Sequence, residues 1–517
     1  MVVVAVVLVV VGGSVDVVVG AVDEVAWGVV VAVVLGGSSP DPLHEAMTRS
    51  PTTRALRMDA RLCLTSDCVS HVIKNDARTV FGWAMYDWAN SAYITTFAAI
   101  VAAFFTGVIV PDEGFNGYSG QTLWSAIISI GAIVLFLGMP VLGAIADYTS
   151  AKKKFLRFFA WFGALTTIAL PFIPTGSVVF FLLVVVMTQI GFVAANVFYD
   201  GFLPDISTDD TIDRISSRGY ALGYVGGGLY VLLALVLILM SGDGGVTGLS
   251  IETASRVGIG GAGLWWIVFS IYSLRRLPEE SIPDEVPAEF RSRSLWWGLA
   301  RLGFARTINT ARKLLGFKQL MLFVLAYLFY NDAVQTVITV TGAYAEETLG
   351  LGTTEIIIVF LITQFVAFFG ALAFGALAGK VGAKGAILIS LVVWATAAGA
   401  AYFLPEGEAL PLYGLGVIVG FVLGGVQALS RSLYGTMIPE DASAEFYGFF
   451  SVFSKFSAIW GPLVFAVVSN ATGSGRPAIL SVVGFFTIGF LLLTRVNVAE
   501  ARASRDRWVF ENAYSRS

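Results

Sequence analysis

From Phe81 onward the chain is a succession of long apolar runs separated by short polar breaks, at roughly 81–109, 122–146, 155–173, 178–199, 217–240, 255–274, 319–342, 355–379, 385–404, 410–433, 446–469 and 476–494. Nearly all reach the ~20 residues that a helix needs to cross the ~30 Å hydrocarbon layer. The breaks carry turn formers or charges, such as Pro111-Asp112-Glu113-Gly114, Pro174-Thr175-Gly176 and Pro405-Glu406-Gly407. The runs lack the alternation of a membrane barrel, and lipid tolerates only segments whose backbone bonds close within themselves. The pattern therefore predicts an all-α polytopic membrane protein of about twelve spans.

Composition agrees. Hydrophobic residues make up 56% of the 517 and charged residues 13%, against about 25% charged in soluble domains. Too few charges are available to coat a soluble protein of this length, and no basic patch suits nucleic acid. The cysteines, Cys63 and Cys68, and the histidines, His44 and His71, all precede the first long run. The spans are thus expected to hold no disulfide, metal, cofactor or histidine relay, and proton chemistry inside them falls to carboxylates.

Charge placement predicts orientation. Loops 110–121, 174–177, 241–254, 343–354, 405–409 and 470–475 contain no Lys or Arg, whereas the alternate loops hold Lys152, Lys153, Lys154, Arg214, Arg275, Arg276, Lys380 and Lys384. The positive-inside rule then puts the alternate loops and both termini in the cytoplasm and requires an even number of spans.

The expected domains are a disordered extension 1–77, a six-helix bundle 78–274, a linker 275–318, a second six-helix bundle 319–495 and a cytoplasmic tail 496–517. Val2–Val11 and Val25–Leu35 are short valine-rich runs, with no Lys or Arg before Arg49. The expectation for 1–46 is translated upstream sequence with a start at Met47 or Met58, the alternative being an extra helix. The linker mixes Trp296, Trp297 and leucines with Arg301, Arg306, Arg312 and Lys313. That suits either a helix lying at the inner headgroup surface or an ordinary connection.

The halves echo one another. Gly143-Ala-Ile-Ala-Asp147, followed by Lys152-Lys153-Lys154, aligns without a gap on Gly375-Ala-Leu-Ala-Gly379, followed by Lys384. Tyr86-Asp87-Trp88-Ala89 matches Tyr330-Asn331-Asp332-Ala333, and Tyr199-x4-Pro204 recurs as Tyr434-x4-Pro439. Six spans in each half make this a parallel repeat, expected to relate the bundles by a pseudo-two-fold.

On these residues the sequence resembles the major facilitator superfamily, whose inner gating motif looks like Gly143-x3-Asp147-x4-Lys152-Lys153-Lys154; the second copy departs from it at Gly379. Two longer stretches resemble the vacuole-effluxer-like family: Trp83-Ala-Met-Tyr86-Asp87-Trp88-Ala89-Asn90-Ser91-Ala92, and Gly424-Gly-Val-Gln427-Ala-Leu-Ser430-Arg431-Ser-Leu433 followed by Ile438-Pro439. The resemblance covers about 78–495. It implies a secondary transporter that moves amino acids, in the direction of efflux, by alternating access in the cell membrane, with a proton as candidate co-substrate and a monomer as the functional unit. It implies no enzyme activity. A sensor or scaffold that kept the transporter shell is the alternative.

Charged side chains in spans cost roughly 2.5–3.5 kcal/mol each on insertion scales and so face a cavity or a partner. The deep candidates are Asp87, Asp332 and Lys455. With Asn90, Asn331, Gln427 and Ser430 they form the expected substrate or proton path, and Asp332→Asn is expected to abolish transport. The plainer reading makes Asp87 a local hydrogen-bond partner and Lys455 a snorkelling anchor. The resemblance assigns Gly143, Asp147, Lys152, Lys153 and Lys154 to an inner gate, where Arg431 would join the charge network. It also implies that Gly219, Gly223 and Gly227 of the fifth span meet Gly375 and Gly379 of the eighth, as small surfaces for motion between bundles.

Overall fold

The computed structural model describes residues 3–11, 14–22, 73–242, 244–278 and 295–507. In the amino-terminal unit, Val3–Val11 pairs antiparallel with Ser14–Val22, Val3 standing opposite Val22. The remainder of 1–72 lies outside the described residues, and with it Cys63, Cys68, His44 and His71.

Within 70–517, and among the described residues, eleven helices are long and apolar enough to cross a bilayer. One of them, Thr353–Ala401, has 49 residues and would measure ~73 Å if straight, more than twice the hydrocarbon thickness. It bends at Gly382, whose φ of 77° and ψ of 155° break the helical path; only glycine takes such a backbone without strain. The two arms are the eighth and ninth spans, so the described residues hold twelve. The others are Ala77–Ile109, Gly120–Tyr148, Lys152–Phe172, Val178–Ile206, Ile212–Leu239, Ile251–Arg276, Lys318–Thr348, Ala409–Gly435, Glu440–Thr472 and Gly475–Thr494.

Several helices run past the apolar stretches that predict them. The fourth continues from Tyr199 through Pro204 to Ile206, and the fifth begins at Ile212. The last turn of the fourth and the first turn of the fifth lie at the end of the bundle that bears the Lys- and Arg-rich loops, here called the basic end. The opposite ends of the first and seventh spans are wound as π-helix at Phe97–Val101, Phe105–Ile109 and Tyr344–Thr348.

The first span packs against the fifth and sixth, and the third against the fourth. Between the halves, the fifth span meets the eighth and tenth, while the eleventh meets the second and fourth. Two further helices lie at the basic end. Leu295–Leu314 packs on the second span, where a Cβ on Gly303 would approach Ile145 Cγ1 to 2.6 Å, and its Arg306 Nε donates to Glu445 Oε2 of the eleventh span at 3.0 Å. Val498–Asp506 makes part of the expected tail helical, and Arg505 Nη1 donates to Asp209 Oδ1 at 3.0 Å and to the Thr436 carbonyl at 3.0 Å.

Candidate functional site

A cavity of about 810 Å³ lies between the halves. The first, fourth and fifth spans give it Asp87, Asn90, Asn196, Asp200, Tyr220 and Tyr224; the tenth and eleventh give Gln427, Arg431 and Lys455. Its walls run from Arg431, near the basic end, to Tyr344, Thr353 and Leu404, near the acidic loops.

Arg431 forms the floor. Its Nη1 donates to Asp87 Oδ2 at 3.2 Å and to Asp200 Oδ1 at 3.1 Å, Nε donates to Ser216 Oγ at 2.9 Å, and Nη2 to the Ser216 carbonyl at 2.9 Å. The guanidinium also lies 4.2 Å from the Tyr220 ring centre and 4.8 Å from that of Trp83. A buried arginine is tolerable only when its fixed fork of donors is met, and here two carboxylates, a hydroxyl, a carbonyl and aromatic faces meet it. Every one of these partners belongs to the amino-terminal half. The pair is therefore a latch across the seam.

The latch is itself braced. Tyr199 donates its hydroxyl to Asp87 Oδ2 at 2.8 Å, while Trp83 stacks on Tyr199 at 4.4 Å and donates Nε1 to the Tyr199 carbonyl at 2.8 Å. Room comes from the fifth span: a Cβ on Gly219 would sit 2.7 Å from Asp87 Oδ2 and 3.0 Å from Arg431 Nη2. Gly223 and Gly227 likewise face Ser91 and Thr95 of the first span. This corrects the expected interbundle stripe for Gly223 and Gly227, whose face points at the first span, while Gly219 meets both the first span and Arg431 of the other half. Gly375 does lie at the seam, where an added Cβ would stand 2.6 Å from Ser217 Cβ, whereas a Cβ on Gly379 would meet nothing within 4 Å.

Below the floor, the second span closes on the eleventh. Asp147 accepts the backbone N–H of Glu445 at 2.8 Å and that of Ala444 at 3.2 Å, so a carboxylate from one half caps a helix start in the other. A Cβ on Gly143 would collide with the Ala444 carbonyl. Lys152 bridges Asp205 Oδ2 at 2.6 Å and Ser443 Oγ at 3.0 Å, Lys153 donates to the Leu277 carbonyl at 2.8 Å, and Lys154 is exposed.

The remaining expected residues divide. Asn90 donates to Asn196 Oδ1 at 2.6 Å, and Gln427 Oε1 accepts the Tyr224 hydroxyl at 2.7 Å across the seam; both line the cavity. Ser430 bonds the Tyr330 hydroxyl at 2.7 Å and is buried within its own half. Asn331 donates to Ser457 Oγ at 2.5 Å, and both oxygens of Asp332 accept the Gly461 N–H at 3.0 Å. These two neighbours hold the break in the eleventh span between Phe456 and Trp460 and do not line the cavity. Asp332 thus departs from its expected place on the transport path. Lys455, two residues before the break, does line the cavity.

Asp200 and Ser216 escaped the sequence reading because the apolar runs stop at 199 and resume at 217; Tyr220 and Tyr224 lie inside the run 217–240, where a tyrosine does not stand out as a cavity residue. The signal was the Tyr199-x4-Pro204 repeat, which marks a helix still running through Asp200.

Residues 75–506 match the family model described as vacuole effluxer Atg22 like. The chain is 32% identical over 414 residues to the MFS-type transporter YxiO of Bacillus subtilis, covering 80% of this chain and 94% of that protein. It is 24% identical over 437 residues to autophagy-related protein 22 of Coccidioides immitis, covering 70% of each. Among solved structures, FucP, a major facilitator transporter in the outward conformation, superposes with a TM-score of 0.59 at 13% identity, over 81% of this chain and 98% of that one. The fold, the membrane-spanning character and the sequence matches agree, and the chain belongs to the Atg22-like vacuole effluxer family of major facilitator transporters.

Proposed function

We propose that this transporter exports amino acids by alternating access, one chain holding the whole pathway. The observation that carries the reading is a single cavity walled by both signs of charge, Asp87 and Asp200 with Arg431 and Lys455, and closed at its basic end by the Arg431 latch. A zwitterion is the small solute that such a wall suits. Opening the basic end requires parting Arg431 from its partners and Asp147 from the start of the eleventh span, so two separate contacts guard the same exit.

The positive-inside rule puts that end, and both termini, in the cytoplasm of a cell bounded by the plasma membrane. The cavity walls then lead outward. Asp87 and Asp200 are carboxylates that a counter-moving proton can visit, which would couple export to a pH gradient. The description of the matching family, vacuole effluxer Atg22 like, supports the outward direction.

The test is flux. Purified protein in sealed vesicles, given mixed labelled amino acids with and without a pH gradient, is expected to exchange them and to respond to the gradient. Saturable binding without flux would favour the sensor alternative; absence of both would reject the amino-acid reading.

A further inference from the structure

Four charged side chains line the cavity, and three of them are committed to one another. Arg431 spends its donors on Asp87, Asp200 and Ser216. The Lys455 ammonium makes no hydrogen bond or ion pair among the described residues, although it stands in the middle of the eleventh span. An ammonium there is costly unless something neutralises it. A snorkelling lysine would escape to the interface, but this one borders the cavity. Neither acid of the floor is exhausted. Asp87 uses Oδ2 for both Tyr199 and Arg431, and Asp200 uses Oδ1; the other oxygen of each takes no hydrogen bond among the described residues. Elsewhere the wall is largely apolar, with Phe192, Val337, Ile338, Ile356 and Leu423.

We infer that Lys455 is the specificity-determining cation, taking the carboxylate of the cargo, while the free oxygens of Asp87 and Asp200 take its ammonium group and the apolar wall takes its side chain. The inference rests on the amino-acid reading. It explains why a lone cation is retained at this depth: cargo, and not protein, completes the pair. It also separates the two basic residues, Arg431 holding the halves together and Lys455 reading what lies between them.

The experiment compares L-phenylalanine with two fragments of it, phenethylamine, which lacks the carboxylate, and 3-phenylpropanoate, which lacks the amine. Wild type, Lys455→Gln and Lys455→Arg are placed in vesicles, and uptake of labelled L-phenylalanine is measured with the fragments as competitors. Losing a charged hydrogen bond should raise the KM of Lys455→Gln for L-phenylalanine by at least about tenfold. Inhibition by phenethylamine should stay within about twofold of wild type, and inhibition by 3-phenylpropanoate should vanish. Lys455→Arg should keep most of the wild-type KM. Retained phenethylamine inhibition also certifies that Lys455→Gln is folded. A wild-type KM in Lys455→Gln, or equal losses for phenylalanine and phenethylamine, would overturn the assignment and leave the amino-acid reading intact. A wild-type protein that neither binds nor carries L-phenylalanine would overturn that reading and the assignment together.

Discussion

Arg431 of the tenth span and Asp87 of the first are joined Nη1 to Oδ2 at 3.2 Å, across the line that separates the two halves of the bundle. The same nitrogen reaches Asp200 at 3.1 Å, so one cation serves two acids. The consequence is an asymmetry. Asp87→Asn leaves Arg431 paired with Asp200, whereas Arg431→Gln leaves two carboxylates together without a cation. Removing one partner of a buried pair costs about 3–5 kcal/mol. Arg431→Gln should therefore lower the apparent melting temperature in detergent clearly more than Asp87→Asn. Equal effects, or the reverse order, would mean that Asp200 is not a true second partner.

Asp332 calls for a different expectation from the one its depth in the sequence suggests. Both its oxygens hold the Gly461 N–H, so it acts as a cap for the second segment of the eleventh span. Asp332→Asn keeps a carbonyl acceptor, and transport should persist at a substantial fraction of wild type. Asp332→Ala removes the cap and should cost about 1 kcal/mol of stability. Vesicle uptake and detergent melting check the two. Complete loss of uptake in Asp332→Asn, with normal insertion, would return this residue to the transport path.

Gly143 and Gly379, which occupy different positions of the repeated motif, should respond unequally to substitution. A side chain at Gly143 meets the backbone of Ala444 and Glu445, which cannot step aside, whereas one at Gly379 meets nothing within 4 Å. Gly143→Val should reduce uptake more than about tenfold, a barrier increase of ~1.4 kcal/mol or more, because the basic end no longer closes. Gly379→Ala should be neutral. Uptake normalised to inserted protein measures both.

Asp76 gives a pH dependence that lies outside the spans. The Thr79 N–H, donated to its carboxylate at 2.9 Å, holds Asp76 below the ordinary carboxylate range. A lowered folded value means that the cap stabilises fully above the unfolded carboxylate range and fades as pH falls through the folded value. Asp76→Ala should melt lower than wild type at neutral pH, and the gap should close on acidification. A gap that is constant with pH would show that the cap does not depend on charge.

Much of the fold was legible because lipid leaves few choices. Apolar runs of bilayer length, alternate loops without Lys or Arg and a parallel repeat lead directly to twelve helices, and the hidden boundary inside Thr353–Ala401 falls at Gly382, between the two runs read as 355–379 and 385–404. Asp87, Asn90, Gln427 and Lys455 were visible as polar residues in apolar company. Asp200 was not, because hydropathy ends a span where polar residues begin, while the helix runs on to carry the latch; Tyr220 and Tyr224 sat inside a recognised span, where nothing in the sequence says which face meets the cavity. Asp332 was visible but misleading: rarity in a span marks a partner as readily as a pathway, and its partner is a backbone N–H. The glycines of the fifth span were also legible as a face, but one sequence does not say which neighbour a face meets.

The central claim is that the contacts at the basic end must part for cargo to cross. Gly201 of the fourth span and Ala444 of the eleventh lie on opposite halves, and a Cβ on Gly201 would stand 3.3 Å from the Ala444 Cβ, close to the 3.5–4.5 Å separation of a disulfide. Gly201→Cys with Ala444→Cys, in a chain whose Cys63 and Cys68 are replaced by serine, can lock that seam by oxidation. Uptake of the labelled amino acid should stop when the disulfide forms and return on reduction. Undiminished uptake with the disulfide fully formed would contradict the account.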